Sequence, residues 1–189
     1  CKIGGIVANN ASGMCCGTAQ NSYQTLAGMR LVLADGTVLD SEDERGVAAF
    51  RQSHGALLEQ LAELGRETRA NTALAERIRH KYRLKNTTGL SLNALVDFDD
   101  PLDILTHLMV GSEGTLGFIS SVTYNTVPEY PHKASALIVF PDVDTCCRAV
   151  PVLKQQPVAA VELLDRRSLR SVQNQPGLPG WVAALSDGA

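Results

Sequence analysis

GMRLVLADGTVLD, residues 28–40, is the stretch of the sequence that decides the fold. In it Met29, Leu31 and Leu33 alternate with residues that would face the other side, which is the period of a strand with one buried face. Asp35-Gly36 follows, and then a second β-prone run. An Asp-Gly pair between two such runs is typical of a tight hairpin turn. The sequence therefore predicts a β-hairpin here.

Helical periodicity comes next along the chain. From about residue 44 to residue 82 we expect two amphipathic helices that are separated near residues 70–71. Each helix has one apolar face, formed by Leu57, Leu61 and Leu64 in the first and by Leu74, Ile78 and Tyr82 in the second. Asp100-Pro101 then supplies a capping carboxylate and a first-turn proline for a short helix that ends before Gly111.

The next segments alternate between strand and helix. Residues 118–126 are β-prone and predict a strand after a glycine-punctuated turn. Prolines near residue 130 indicate a connector, where we expect a domain boundary. Beyond it the pattern predicts a strand over 136–140, a helix over 144–154 and a strand over 158–164. Pro151 fits that helix poorly, because proline removes one backbone hydrogen bond.

Composition and charge exclude several classes of protein. With 44% hydrophobic and 20% charged residues, the chain has the balance of an ordinary globular protein rather than a disordered one. A formal net charge of -3 offers no basic field for nucleic acid. The longest apolar runs are far shorter than the roughly 20 residues of a membrane-spanning helix. We therefore expect neither a nucleic-acid partner nor a transmembrane segment.

Cysteines, histidines and the chain start complete the survey. Five cysteines, four of them in two adjacent pairs, have no CxxC spacing, and the four histidines lie far apart. Neither pattern predicts a metal site or a disulfide framework. The chain opens at Cys1 with a strand-like glycine-rich segment under way at Ile3, so we interpret it as a fragment. We expect a cytoplasmic parent protein, or one peripheral to the inner membrane.

Two glycine-rich segments are the candidates for chemistry. The first, residues 3–13, reads IGGIVANNASG, and its missing side chains would let a ligand approach peptide N–H groups. The second, residues 111–119, reads GSEGTLGFI and matches neither GxGxxG nor the phosphate loop. Spacing alone leaves tight structural turns as an open alternative for both.

The order of four segments carries a resemblance to a known family. IGGIVANNASG, LVLADGTVLD, KNTTGLSL and GSEGTLGFI together resemble the vanillyl-alcohol oxidase type of FAD-linked oxidase, and within it the D-2-hydroxyacid dehydrogenases. That group includes enzymes for D-lactate, glycolate and D-2-hydroxyglutarate. The likeness covers about residues 1–125, and residues 136–172 look like the opening of the family's ferredoxin-like cap.

The resemblance implies a fold and a domain division. It implies an α+β protein with a mainly antiparallel sheet and flanking helices, in which residues 1–130 form the C-terminal part of an FAD-binding domain. Residues 131–189 would begin a truncated substrate or cap domain. FAD is the implied cofactor, and the implied partners are a small 2-hydroxy acid and an electron acceptor.

The resemblance also implies cofactor contacts, mostly through the main chain. They are Gly4, Gly5, Asn9, Asn10, Ala11 and Gly13 in the first segment, and Glu113, Gly114, Thr115, Gly117, Phe118 and Ile119 in the second. Asn86 in KNTTGL is a further candidate for which capping or turn formation is the alternative. Relatives carry their catalytic base and metal ligands beyond the point matching Ala189, so no catalytic or metal residue is assigned here.

The implied reaction belongs to the parent protein. A hydride would pass from the α-carbon of a 2-hydroxy acid to flavin, which supplies the difficult chemistry. The family's pyrophosphate loop precedes the match to Cys1, so we expect this fragment to bind FAD poorly and to lack turnover. The competing hypothesis is a non-catalytic binding or assembly module whose glycine-rich turns are structural.

Overall fold

The computed structural model describes residues 2–13, 15–172, 175–177 and 180–184 of the chain. The chain divides into two compact units, Cys1–Pro128 and Glu129–Ala189. The helices of the first unit are α1 (Ile3–Asn9), α2 (Ser22–Thr25), α3 (Glu44–Ser53), α4 (Gly55–Ala70), α5 (Thr72–Lys81), α6 (Ala94–Asp97) and α7 (Pro101–Met109). Its strands are β1 (Leu26–Val32), β2 (Val38–Asp40) and β3 (Phe118–Tyr124). The second unit contains α8 (Val143–Leu153), α9 (Arg166–Val172) and α10 (Gly180–Ala183).

A small antiparallel sheet organises the first unit. Its strand order is β2-β1-β3, and β1 pairs antiparallel with both neighbours. The hairpin turn is closed by the Thr37 N–H, which donates to Asp35 Oδ1 at 2.9 Å, while Gly36 takes a φ of 85°. The predicted hairpin and the α+β class, an antiparallel sheet with flanking helices, are both confirmed.

The core of this unit lies between the sheet and α7. Met29 and Leu31 of β1 are buried together with Leu39 of β2, and they pack in one cluster with Ile104 and Leu108. Burial of each such side chain stabilises the fold by about 1.5–3 kcal/mol relative to exposure. The alternation predicted for β1 is therefore the feature that attaches α7 to the sheet.

Capping residues set the bounds of the helices. Asp100 Oδ1 accepts a hydrogen bond from the Leu102 N–H at 2.8 Å at the start of α7, as predicted. Asn71 Oδ1 accepts from the Leu74 N–H at 3.1 Å, which fixes the predicted break between α4 and α5. A second break at His54 makes three helices of the predicted two, because the backbone leaves helical geometry there at φ -115° and ψ 26°.

The inward face of α4 agrees with the predicted one only in part, since Leu57 and Leu61 pack against the core as expected. Leu64 and, on α5, Leu74 are exposed, whereas Leu58, Gly65 and Thr68 are buried. A methyl group built on Gly65 would lie 3.1 Å from Ile104 Cδ1. The close approach of α4 to α7 at this glycine therefore turns the helix by about one residue from the face that the leucines alone predict.

The first glycine-rich segment is a helix rather than the expected strand. Residues Ile3–Asn9 form α1, and Asn10 ends it in the left-handed region at φ 56°. Ile3, Ile6 and Val7 have the i, i+3, i+4 spacing of a helical face, and Val7 is fully buried. The short apolar run resembled a strand because its two glycines hide that spacing.

The second unit contains the predicted helix but not the predicted strands. α8 starts at Asp142, whose Oδ1 accepts from the Thr145 N–H at 2.7 Å, and it includes Pro151 in its last turn. Residues 136–140 and 158–164 form no strand in the described chain, and Leu137 and Ile138 are 50% and 52% exposed. A strand needs the backbone groups of a partner, and apolar composition alone does not supply one.

Candidate functional site

The two glycine-rich segments meet in space. The Gly111 N–H donates to the Val7 carbonyl at 3.2 Å, and the Glu113 N–H donates to the Ala8 carbonyl at 2.9 Å. A methyl group built on Gly4 would lie 3.6 Å from the Ile119 carbonyl oxygen. Residues 3–13 and 111–119, which we call the paired glycine segments, are therefore joined through their main chains although about a hundred residues separate them in sequence.

Left-handed turns shape the second segment. Gly111, Glu113 and Gly114 have φ angles of 89°, 53° and 78°. A methyl group at Gly111 would lie only 2.9 Å from the Gly89 carbonyl oxygen, so both the φ angle and the space require glycine at this position. Thr115 closes the turn, since its N–H and its hydroxyl both donate to the Ser112 carbonyl, at 2.9 and 2.6 Å.

Side chains of the two segments also contact each other. Asn9 Nδ2 donates to Glu113 Oε1 at 2.5 Å. Glu113 takes a positive φ that a non-glycine residue seldom adopts, and this contact holds it there. Glu113 and Thr115 therefore position the turn.

The glycines differ in what surrounds them. Methyl groups built on Gly5 and on Gly114 would meet no atom within 4 Å, so the main chain is open on that side at both positions. At Gly117 a methyl group would lie 2.9 Å from the Val32 carbonyl oxygen and 3.3 Å from Met109 Cε. Gly117 is therefore needed for the packing of β3 against β1, while Gly5 and Gly114 leave room for a ligand.

Asn10 directs its side chain into the protein. Its Nδ2 donates to the Asn86 carbonyl at 3.3 Å, and its Oδ1 accepts from the Tyr23 N–H at 3.3 Å. Asn86 is also buried, and its own Oδ1 accepts from Lys81 Nζ at 3.1 Å. These amides connect the end of α1 to α2 and to the KNTTGL loop, which leaves only the main chain of Asn10 for a ligand.

The remaining cofactor contacts expected from the sequence lie at the ends of the two segments. Ala11 and Gly13 follow α1, where the Ala11 N–H donates to the Ile6 carbonyl at 3.0 Å. Phe118 starts β3 opposite Val32 and is 67% exposed, whereas Ile119, opposite Leu31, packs against the core. Phe118 therefore presents an exposed aromatic ring near the end of the second glycine segment.

Lys85 is a residue that sequence reasoning missed. Its Nζ donates to the Ser12 carbonyl, which places an ammonium group at the end of the first glycine segment. The KNTTGL motif drew attention to Asn86 instead, because a lysine in a loop carries no pattern that separates it from a solvated surface residue. Only the folding of the loop against residues 3–13 reveals the contact.

The described residues hold no group of three histidine, cysteine, aspartate or glutamate side chains close enough to bind a metal ion. Their helices are also too short or too polar to cross a lipid bilayer. Neither finding depends on the paired glycine segments.

Two family models match the chain at its two ends. The FAD binding domain matches residues 1–42, and the C-terminal domain of FAD linked oxidases matches residues 129–188. The first match contains α1 and the β1–β2 hairpin, and the second covers nearly all of the second unit. No solved structure gives a significant match.

Relatives with a similar sequence cover much of the chain. A D-2-hydroxyglutarate dehydrogenase of Pantoea ananatis is 26% identical over 174 residues, which are 88% of this chain and 16% of that protein. One of Haemophilus influenzae is 27% identical over 180 residues, 88% of this chain and 17% of that protein. An uncharacterised FAD-linked oxidoreductase of Mycobacterium tuberculosis is 37% identical over 84 residues, 41% of this chain and 18% of that protein. The two dehydrogenases are thus about six times as long as the part that matches this chain.

Proposed function

Because the chain belongs to the FAD-linked oxidases, we propose that the paired glycine segments form one wall of its FAD site. The main-chain hydrogen bonds from Gly111 to Val7 and from Glu113 to Ala8 are the observation that supports this most directly. They bring together two segments that the family resemblance assigns separately to the flavin.

The residues of this wall fit a flavin nucleotide. Gly5 and Gly114 leave open space beside the main chain, where a large planar ligand needs close access. The proposed contacts are Gly4, Gly5, Asn9, Asn10, Ala11 and Gly13 in the first segment, and Glu113, Gly114, Thr115, Gly117, Phe118 and Ile119 in the second. Asn10 would act through its main chain, and Gly117 through the position of β3.

The chain's own residues would orient the reaction rather than perform it. FAD, when bound, supplies the acceptor for a hydride. The hydrogen bond from Asn9 Nδ2 to Glu113 Oε1, 2.5 Å long, holds the two segments together. The hydrogen bond from the Tyr23 N–H to Asn10 Oδ1 connects the first segment to α2. The exposed ring of Phe118 would exclude water from one edge of the cofactor. No residue of this chain is assigned as the catalytic base.

For the parent protein we propose oxidation of a D-2-hydroxy acid to the 2-oxo acid, with the hydride passing to flavin. The D-2-hydroxyglutarate dehydrogenases among the relatives support this substrate class, which also includes D-lactate and glycolate. Residues 1–130 would be the C-terminal part of the FAD-binding domain and residues 131–189 the start of the cap. By itself the chain would lack turnover, and the parent would work in the cytoplasm with a separate electron acceptor.

The test uses the full-length parent protein. We expect purified parent protein to show flavin absorbance and to reduce an artificial electron acceptor when given a D-2-hydroxy acid. A colourless protein that cannot be reconstituted with FAD would favour the alternative of a non-catalytic binding or assembly module. Bound flavin with oxidation of amines or phenols only would retain the family and refute the hydroxy-acid assignment.

A further inference from the structure

A second cleft lies in the first unit, and no residue of the paired glycine segments lines it. Its volume is about 640 Å³, and it lies between the start of β1 and the region where α6 leads into α7. The residues that matter for its chemistry are Tyr23, Asp97, Phe98, Asp103 and His107. A cleft of this size can enclose a small organic ligand.

Only some of the aspartates around the cleft are in ion pairs. Residues 97–103 contain four aspartates. Asp99 pairs with Arg69 at 3.1 Å and Asp100 with Arg51 at 2.7 Å. Asp97 and Asp103 form no ion pair within the described chain, and these two are the ones that line the cleft. Its lining includes no lysine or arginine. The two carboxylates that line the cleft therefore give it negative charge without an ion-pair partner of their own among the described residues.

Hydrogen bonds hold the Asp97 carboxylate in place. Its Oδ2 accepts from the Tyr23 hydroxyl at 2.8 Å and from Asn93 Nδ2 at 3.0 Å. Burial, followed by the nearby Asp97 charge, raises the pKa of Tyr23 well above its usual value, so this hydroxyl stays a donor. Asp97 is thereby oriented, and its other oxygen is left to accept from a ligand.

His107 adds a third acceptor. The residue is 9% exposed, and its Nδ1 lies 2.8 Å from the Asp103 carbonyl oxygen. A carbonyl only accepts, so Nδ1 carries the proton, and Nε2 has no hydrogen-bond partner among the described residues. Burial lowers the pKa of His107, which keeps the ring neutral near pH 7 and leaves a lone pair on Nε2. Nε2 is therefore an acceptor that the described groups of the protein leave unused and that a donor from outside can reach.

Aromatic rings complete the wall. The His107 ring lies 4.0 Å from the Phe98 centroid and 5.0 Å from the Tyr23 centroid. The faces of such rings attract cations, and the attraction is strongest where water is excluded. Exposed carboxylates alone would bind weakly. Here they line the same cleft as His107, Phe98 and Tyr23, which add an acceptor and aromatic rings.

We propose that this cleft binds an organic cation, a guanidinium or primary ammonium group, between the carboxylates of Asp97 and Asp103, His107 Nε2 and the aromatic rings. Such a group is positively charged, rich in donors and compatible with aromatic faces. The cation would come from a free amine or from a lysine or arginine side chain of a protein segment. The proposal does not depend on flavin binding, so it survives a failure of the FAD assignment.

The test is titration of the full 189-residue chain with butylguanidinium, followed by calorimetry or NMR. Butylurea, the neutral analogue of the same shape, is the matched control ligand. We expect butylguanidinium to bind and butylurea not to bind. Equal binding of both, or binding of neither at about 10 mM, where even affinities weaker than millimolar become visible, would overturn the proposal.

Two variants localise the binding. Asp103→Asn removes one charge that lines the cleft, and we expect it to weaken binding about tenfold, as for the loss of one charge-assisted contact. Asp99→Asn removes an exposed charge of the same segment outside the lining, and its affinity should stay unchanged. Circular dichroism checks that both variants fold. An equal loss in both would assign the binding to a general negative surface and refute the site.

A binding experiment with two peptides distinguishes the two possible sources of the cation. Acetyl-Gly-Arg-Gly-amide is compared with the same peptide in which citrulline replaces arginine. Binding of the arginine peptide more tightly than of butylguanidinium supports a protein segment as the occupant. Tighter binding of the free cation supports a small amine. Binding of the citrulline peptide as tightly as of the arginine peptide would contradict the proposed chemistry.

Discussion

The sheet core and the paired glycine segments are stabilised in different ways. The core, formed by residues such as Met29, Leu31 and Ile104, is held by side-chain burial. The paired glycine segments are held by main-chain hydrogen bonds and by positive φ angles at Gly111, Glu113 and Gly114. The core should therefore be sensitive to side chains that are lost, and the glycine segments to side chains that are gained. This difference can be tested by substitutions in opposite directions.

A large effect is expected from Leu31→Ala in the core, where a side chain is lost. Leu31 is completely buried between β2, β3 and α7, so the substitution should lower the free energy of unfolding by about 2–5 kcal/mol. Leu137→Ala is the matched control, since Leu137 is 50% exposed in a segment that forms no strand. Urea denaturation of the full chain measures both. A similar loss in the two variants would mean that residues 136–140 are packed in solution.

A methyl group added at Gly111 tests the glycine segments. Gly111→Ala should cost about 1–2 kcal/mol for its left-handed φ and a further 1–3 kcal/mol for displacement of the Gly89 carbonyl. Gly36→Ala is the control, because Gly36 has a similar φ of 85° but open space around it. Thermal unfolding compares them. Equal losses would show that the contact with Gly89 is not tight.

These comparisons also explain how far the sequence predicts the structure. The hairpin, α7 and β3 were predictable because alternation, Asp35-Gly36 and the Asp100-Pro101 cap are local patterns. The face of α4 was predictable only in part, since it also depends on how closely Gly65 approaches Ile104. The strands expected over 136–140 and 158–164 failed for a related reason. Apolar alternation describes a side-chain pattern, whereas a strand also requires a partner.

The candidate site divides in the same way. The family resemblance assigned residues 3–13 and 111–119 to the same cofactor, and the main chains of the two segments do come together. The inward direction of the Asn10 side chain and the Lys85 contact with Ser12 depend on long-range packing with the KNTTGL loop. No local pattern contains that information. Sequence therefore identified the segments but not which of their groups remain available to a ligand.

Gly5→Ala should separate stability from cofactor binding. Gly5 lies inside α1 with open space around it, so alanine should raise the free energy of unfolding by about 0.5–1 kcal/mol. If the open side of Gly5 faces the flavin, the same methyl group should weaken FAD binding to the parent protein by about 1–3 kcal/mol. Flavin fluorescence titration measures that loss.

Gly55→Ala is the control for the opposite effects of Gly5→Ala on stability and on FAD binding. Gly55 is another helical glycine around which an added methyl group would meet no atom within 4 Å, but it lies on α4 outside the paired glycine segments. It should retain normal flavin affinity without loss of stability. Unchanged FAD affinity in the Gly5→Ala parent would remove Gly5 from the proposed wall.

The smallest effect concerns the hairpin turn, where polar contacts rather than burial connect the sheet to the helices. The Thr37 N–H, followed by His54, lowers the pKa of Asp35 from its usual 3.8 to about 2. A lowered folded-state pKa stabilises the fold fully above about pH 4, and this contribution is lost as the pH falls towards 2. The midpoint of urea unfolding should therefore fall slightly more between pH 5 and pH 2 in the wild-type chain than in Asp35→Asn, whose side chain does not ionise. NMR titration of the Asp35 carboxyl gives the direct measurement. A pKa at the usual 3.8 would show that the turn contacts do not persist in solution.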